Sequence, residues 1–549
     1  MDFSACYVDT MSSVAVAARL GDRSCLRRLL SEGRSVSCTD NRGWMPLHEA
    51  AHAGMMGCLK DILSAARTGV SLSEFRTYVN SSTHEGETAC FLAARGGHVG
   101  AVRRLIKSKA KIDQLTNDLS CPLYAAVDNG HIEVVRLLMD KGAELNRSHT
   151  ATCWTCLHLA VYRDHVDIVR MLVQSAELEV RDDYNMTPLF LAAKHGRQQC
   201  LEILIHAGEH RVISAKGRIQ KSGFFGKRNA PTPPSPGADV NAQASDMASP
   251  LMLASQQGHE SCVELLLEHN ANANLNCSYD WPQLPIHAAA QFGHLGILRR
   301  LLPVTIRQCD RGEGLVSPLY LAIQGGQAAC VALLLDQGFS PDAQSRLHSM
   351  GPHSPLSFAF HSGYSDISGM LLAAGAALHK WEWKPVLGQK NSSLLKLVLE
   401  HRWLYPPRHP RGDSSKVALR RPELDDMLRT ALKLLEFAVD WLPPLLRAGL
   451  DPDSLQRSIV LEKVDSELLN FLLQFVNWST MSPALKNILW RRRAQETWHP
   501  LPQFDSVPDL SHLCRLRIRT LMGPEEVMRT DAVAELPVPP SIQRFLQFT

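Results

Sequence analysis

The chain has 549 residues, too many for one hydrophobic core by surface-to-volume scaling, so several domains or an extended repeat array are expected. Hydrophobic residues make up 45% and charged residues 21%, which supplies a core and excludes a globally disordered chain. A net charge of +3 is too small for the electrostatic footprint of a nucleic-acid binder, so no nucleic-acid partner is expected.

The opening stretch, Met1 to Asp22, lacks a basic region followed by a long apolar run, and nowhere do about eighteen apolar residues follow one another uninterrupted. These features predict a soluble, intracellular protein with no membrane partner, cytoplasmic with the nucleus also open to it. The fourteen cysteines stand singly and recur at one phase of a helical pattern, which fits a reducing compartment better than a disulfide framework.

In chain order, the dominant element is a phrase that returns again and again. It reads Met45-Pro46-Leu47-His48-Glu49-Ala50-Ala51, then Cys121-Pro122-Leu123-Tyr124-Ala125-Ala126, Thr155-Cys156-Leu157-His158-Leu159-Ala160 and Thr187-Pro188-Leu189-Phe190-Leu191-Ala192. Further copies start at Ser249-Pro250, Leu284-Pro285, Ser317-Pro318 and Ser354-Pro355, with diverged ones at Thr88-Ala89 and Val16-Ala17-Ala18. The Pro slot falls at 46, 89, 122, 156, 188, 250, 285, 318 and 355, a modal step of about 33.

The physics of the phrase is a short helix. Ser or Thr caps it, and Pro stands where the missing N–H removes no hydrogen bond. Leu and the paired alanines give it a thin apolar face. Gly97-His98, Gly130-His131, Gly258-His259 and Gly293-His294 close it, Gly supplying the left-handed cap. A second helix with a Leu-Leu pair follows, as at Leu137-Leu138 and Leu265-Leu266, and endings such as Gly142-Ala143-Glu144-Leu145-Asn146 turn into the next unit. Thr-Pro-Leu-His at this period resembles the ankyrin repeat. The resemblance implies an all-α solenoid of helix pairs joined by β-hairpin turns, about ten repeats over residues 9–380.

Two steps are irregular. The step of 43 between slots 46 and 89 implies an extension around Ala65 to Asn80. The step of 62 between slots 188 and 250 leaves an excess between Gly208 and Pro236 that carries Lys216, Arg218, Lys221, Lys227 and Arg228 before Pro231-Thr232-Pro233-Pro234-Ser235-Pro236. Residues 209–236 are therefore expected to form a mobile loop, suited to phosphorylation or docking but more simply a tolerated insertion. After Gly375-Ala376 the pattern decays, and 381–504 reads as degenerate repeats and a helical linker, with Tyr405 to Asp413 as a Pro-rich loop.

The last segment, 505–549, changes character. Leu510, Leu513, Cys514, Ile518 and Leu521 make one helical stripe behind a cap at Asp509, so this segment needs a partner to cover it. Leu510, Leu513, Cys514, Arg515, Ile518 and Arg519 match the elongin C-binding box of SOCS boxes, residues 509–519, with Asp509 departing from the usual small residue. Leu536-Pro537-Val538-Pro539, followed by Ile542, resembles the cullin-5 box, residues 536–542. Repeats and box together resemble the ankyrin repeat and SOCS box proteins. That resemblance implies a three-helix SOCS box that recruits elongin B, elongin C and cullin-5 with its RING partner. It implies an unknown protein substrate held by the repeats for ubiquitination and proteasomal degradation, and a receptor that is not itself an enzyme and needs no cofactor. Leu510, Leu513, Cys514 and Ile518 would contact elongin C, and Leu536, Pro537, Pro539 and Ile542 the cullin. The alternative is a passive ankyrin scaffold whose C-terminal helix caps the array.

Trp44, Trp154, Tyr184 and Trp281 stand at or near hairpin tips and are candidates for target binding, the bland alternative being that they pack along neighbouring hairpins. Other signals are weaker. Cys153-Trp154-Thr155-Cys156 spells a redox or metal pair, but its second cysteine fills the Pro slot and no second pair has metal spacing. His48, His158 and His287 recur in phase and read as structural hydrogen bonders, and Trp490-Arg491-Arg492-Arg493 reads as a solvated face. No phosphate-cradling loop or catalytic triad is visible.

Overall fold

The first helices fold as their capping residues require. In the computed structural model the Thr187 side chain accepts the Phe190 N–H at 3.3 Å ahead of helix Pro188–Lys194, and Ser249 accepts the Met252 N–H at 3.2 Å ahead of Pro250–Gln257. The structure describes residues 11–149, 151–214, 237–277, 283–307, 317–343, 354–378, 380–388, 393–404, 417–476, 478, 481–504, 514, 517–518, 539–541 and 543. Contacts divide the chain into two units, Met1–Ala289 with Gly296–Thr305, and Ala290–Leu295 with Ile306–Thr549.

In the first unit the helices that open the repeats stack in a row: Ala89–Arg95 packs on Pro46–His52 and on Pro122–Asp128. Such a helix has no free face, and Pro46, Leu47, His48, Glu49, Ala50 and Ala51 are all buried. Alanine is what lets the axes approach. The second helices bury only a stripe, as in Ile132–Asp140, where Val134, Val135, Leu137 and Leu138 turn inward. Burying one such leucine fully contributes about 1.5–3 kcal/mol.

A left-handed glycine precedes most second helices, φ 74° at Gly97 and 73° at Gly130, and Asp164 takes the same conformation at φ 62°. The histidine after it reaches back one repeat: His98 Nε2 donates to the His52 carbonyl at 2.9 Å and His131 Nε2 to the Arg95 carbonyl at 2.8 Å. A Cβ on Gly97 would stand 2.6 Å from His131 Nδ1, whereas one on Gly33, with φ 81°, would meet nothing. Gly97→Ala is therefore expected to lower stability by about 2–3 kcal/mol, and Gly33→Ala by only the backbone share of about 1–2. Equal losses in a melting comparison of the two variants would refute this role for the Gly-His pair.

Between repeats the chain makes five-residue hairpin turns closed by backbone bonds from Asp40 to Trp44, Thr83 to Glu87, Thr116 to Ser120 and Asp182 to Met186, at 2.9–3.0 Å. Successive tips are bonded to one another, His84 N–H to the Arg42 carbonyl and Asn117 N–H to the Glu85 carbonyl, both at 3.0 Å. The in-phase histidines lock each helix start to the next turn. His48 Nδ1 accepts the Met45 N–H while Nε2 donates to the Ser81 carbonyl, both at 3.0 Å, and His158 and His287 accept equivalent N–H groups from Thr155 and Leu284.

The long steps hold structure that the phrase count does not reveal. The extension after Ala65 contains a further helix, Leu72–Val79, started by a reciprocal Ser71 and Glu74 cap and seated by buried Phe75 and Val79. The insertion after Gly208 begins as helix rather than loop, because the second helix runs without a break over Gln198–Ser214. Residues 215–236 lie outside the described residues.

In the second unit the stacking outlasts the phrase. Helix Pro355–His361 packs on Lys380–Gly388 and that on Arg421–Ala431, while Ser365–Ala373, Ser393–His401, Ala438–Arg447 and Ser466–Leu473 form a parallel row. One two-residue parallel strand pair, Arg402–Trp403 with Val417–Ala418, interrupts the all-helical pattern. The Arg491 to Arg493 run is not a uniformly solvated face. Arg492 is buried, Nη1 donating to the Leu461 and Val464 carbonyls and Nη2 to that of Thr497, each at 2.7 Å. Those three carbonyls end helices or turns, and the guanidinium fork gathers them.

Candidate functional site

The repeat geometry brings equivalent positions of consecutive first helices side by side, and in the first unit this makes a cavity of about 460 Å³ lined by Phe91, Tyr124, Trp154 and Tyr162. Phe91 and Tyr124 stand two residues after their Pro slots, where other repeats carry His. Arg95, Asp128 and Tyr162 stand six after theirs. Trp154 comes from the hairpin. Its Nε1 donates to Asp182 Oδ2 at 3.1 Å, and its ring centroid lies 5.1 Å from that of Tyr162, which in turn meets His195 edge-on at 5.2 Å.

Charge surrounds the rings. Arg95 lies over the Phe91 ring at 5.6 Å and is ion-paired with Glu87, and Arg163 pairs with Asp128 at 2.8 Å. Burial raises the Glu87 pKa against the pull of Arg95. Burial also works against the Asp118 carboxylate, but hydrogen bonds from Thr116 and Ser120 outweigh it and hold its pKa below the usual value. Aromatic walls with paired charges at the rim suit a protein side chain or peptide rather than bond-making chemistry.

The four hairpin aromatics are placed very differently. Trp44 is buried, at 9% exposure, against Phe91, Leu92 and Ala125, with the Arg42 guanidinium 4.3 Å above its ring. Trp154 is half-buried and lines the cavity. Tyr184 is 65% exposed on a tip whose carbonyl accepts the Ser245 N–H. Trp281 lies outside the described residues.

Of the C-terminal residues singled out by sequence, Leu510, Leu513, Leu536, Pro537 and Ile542 lie outside the described residues, as does Asp509. Cys514 and Ile518 are helical, the first exposed and the second half-buried. Pro539 is exposed and accepts the Gln543 N–H at 3.1 Å, so a helix begins directly behind it.

Capped helix pairs, left-handed glycines and bonded hairpin tips define an ankyrin-repeat protein. The ankyrin repeat model matches residues 64–149, 146–214, 234–311 and 286–380, and the SOCS box model matches 506–547. The chain is 37% identical to human ankyrin repeat and SOCS box protein 3 over all of its length and 96% of that protein, and 37% identical to the bovine protein over 95% of it. A solved structure, the human ASB11 ankyrin repeat domain, aligns over 47% of this chain and 98% of its own at 23% identity and a TM-score of 0.37. The chain belongs to the ankyrin repeat and SOCS box family. Membership with a SOCS box implies a substrate receptor for a cullin-RING ligase.

Proposed function

We propose that this chain is the substrate-recognition subunit of an elongin B/C, cullin-5 and RING ubiquitin ligase, acting from the cytoplasm and marking a bound protein for proteasomal degradation. The observation that carries the reading is a matched SOCS box behind matched ankyrin repeats in one chain. The exposed Cys514 on its helix supports it, because a stripe residue open to solvent awaits a covering partner. In this reading the repeats span 9–380, degenerate repeats and linker 381–504, and the SOCS box 505–549.

The chain supplies proximity rather than chemistry. Leu510, Leu513, Cys514 and Ile518 hold elongin C, and Leu536, Pro537, Pro539 and Ile542 select the cullin. Trp154 and Tyr184, with the aromatic cavity, hold the target, so that a target lysine meets the charged E2 at high effective concentration.

Leu510→Ala with Cys514→Ala is expected to weaken elongin B/C binding at least ten- to hundredfold, the loss of about 1.5–3 kcal/mol from one leucine alone. Co-purification of the full chain from cells with tagged elongin C reads this directly. If elongins are absent from the wild-type complex, or bind the double variant as well, the protein is a passive ankyrin scaffold instead.

A further inference from the structure

The same period that aligns the cavity also repeats three other positions at each junction: the residue before one Pro slot, the first residue of the following hairpin, and the next Pro slot. In the first unit these triples are Met45, Thr83, Ala89; Thr88, Thr116, Pro122; Cys121, His149, Cys156; Thr155, Asp182, Pro188; Thr187, Ala244, Pro250; and Ser249, Cys277, Pro285. One junction alone carries a metal-binding donor at all three. There the Sγ, imidazole nitrogen and Sγ lie within 4.8 Å of one another, and each residue is at most 1% exposed.

We propose that Cys121, His149 and Cys156 form a buried two-sulfur, one-nitrogen site for a single d10 metal ion, Zn2+ or Cu+. Around zinc, with Zn–S about 2.3 Å and Zn–N about 2.0 Å, tetrahedral donors stand about 3.5–3.8 Å apart. Cys121 Sγ and His149 Nε2 are 3.6 Å apart.

The surroundings are those a metal-bound histidine and thiolate need. His149 Nδ1 donates to the Leu119 carbonyl at 2.9 Å, which fixes the proton on Nδ1 and leaves the Nε2 lone pair facing the sulfur. The Tyr124 N–H donates to Cys121 Sγ at 3.3 Å, and the Tyr124 ring lies 4.8 Å from the imidazole and helps fix its plane. The hydrogen bond from Cys156 and the His149 contact hold the Cys121 pKa well down despite burial, while that bond and burial push Cys156 up. Binding then releases the Cys156 proton and whichever proton Cys121 and His149 share, leaving two thiolates and a neutral imidazole on the ion. Two thiolates and one imidazole are the soft donors that select Zn2+ or Cu+ over Mg2+ or Ca2+.

The pair that is visible along the chain is not the site. Cys153, three residues before Cys156, is half-buried and hydrogen-bonded toward Asp183, and its thiol pKa is raised by that carboxylate.

The full-length chain, purified without chelators in metal-free reducing buffer and analysed for its elements, is expected to carry about one Zn2+ or Cu+ per molecule. The element found distinguishes the two. Cys121→Thr with Cys156→Pro installs what other junctions use, and the extended Thr155 backbone, φ −86° and ψ 169°, already suits a following proline. That variant should lose the metal while Cys153→Ser keeps it. Metal-free wild type, even after incubation with either ion, overturns the site, as does undiminished metal in the double variant. Should the double variant not fold, Cys121→Thr alone is compared with wild type by cadmium-thiolate charge-transfer absorption, where an unchanged band is equally fatal.

Discussion

Trp44→Ala is expected to destabilise the first unit by about 3–5 kcal/mol, the range for deleting a large buried aromatic. The ring fills the space between Phe91, Leu92 and Ala125, meets the His52 ring edge-on at 5.3 Å, and carries Arg42 on its face. Arg42 is itself paired at 2.7 Å with both Asp40 and Glu49. Removing the indole therefore opens a cavity and loosens a charge cluster whose acid Glu49 is already raised in pKa by burial. Trp154→Ala should behave in the opposite way. It deletes a half-buried wall of the cavity, so stability should fall by about 1 kcal/mol while capture of a target falls tenfold or more, as for hot-spot aromatics. Denaturant unfolding and hydrogen exchange over residues 40–95 measure the first, and crosslinking in proteasome-inhibited cells the second. A Trp44→Ala chain as stable as wild type would remove the packing role, and an unaltered crosslinking profile for Trp154→Ala would move target binding elsewhere, Tyr184 first.

The difference between these two tryptophans shows where sequence reading stops. Both precede a Pro slot at a hairpin tip, and the phrase says nothing of which tip is covered by the repeat beside it. What the phrase does specify is the helix pair, because Pro, Ser or Thr, and left-handed Gly act locally on two or three backbone bonds. Leu72–Val79 was equally local and readable from Ser71 and Glu74, but it falls outside the repeat and is hidden by counting periods. The cavity needed a column-wise comparison, since Phe91 and Tyr124 take the His position in adjacent repeats. Arg492 could not be read at all: three carbonyls from separate turns are brought to it only by folding. Cys121, His149 and Cys156 form an intermediate case, far apart along the chain but neighbours by the period itself.

Acid is expected to destabilise the array from about pH 6.5 downward, because burial disfavours the protonated form of His48, His52 and His158. Burial lowers the His48 pKa to about 4, despite the Ser81 carbonyl and Asp40, which favour the proton. His52 and His158 are shifted down for the same leading reason. An unfolded histidine titrates near 6.5, so between about pH 6.5 and 4 the unfolded chain binds protons that folded His48 refuses. Its contribution is whole above pH 6.5, shrinks as pH falls through that window, and amounts to roughly 3 kcal/mol for His48 alone. The structural cause is specific: Nδ1 must stay unprotonated to accept the Met45 N–H, so protonation breaks the bond that starts helix Pro46–His52. His48→Gln should be less stable than wild type at pH 7.5, having lost that geometry, yet lose less between pH 6.5 and 4.5. Denaturant unfolding of both chains across that range gives the two slopes. Parallel slopes would mean that His48 is reached by water and titrates normally, and that the lock between each helix start and the next hairpin opens without acid.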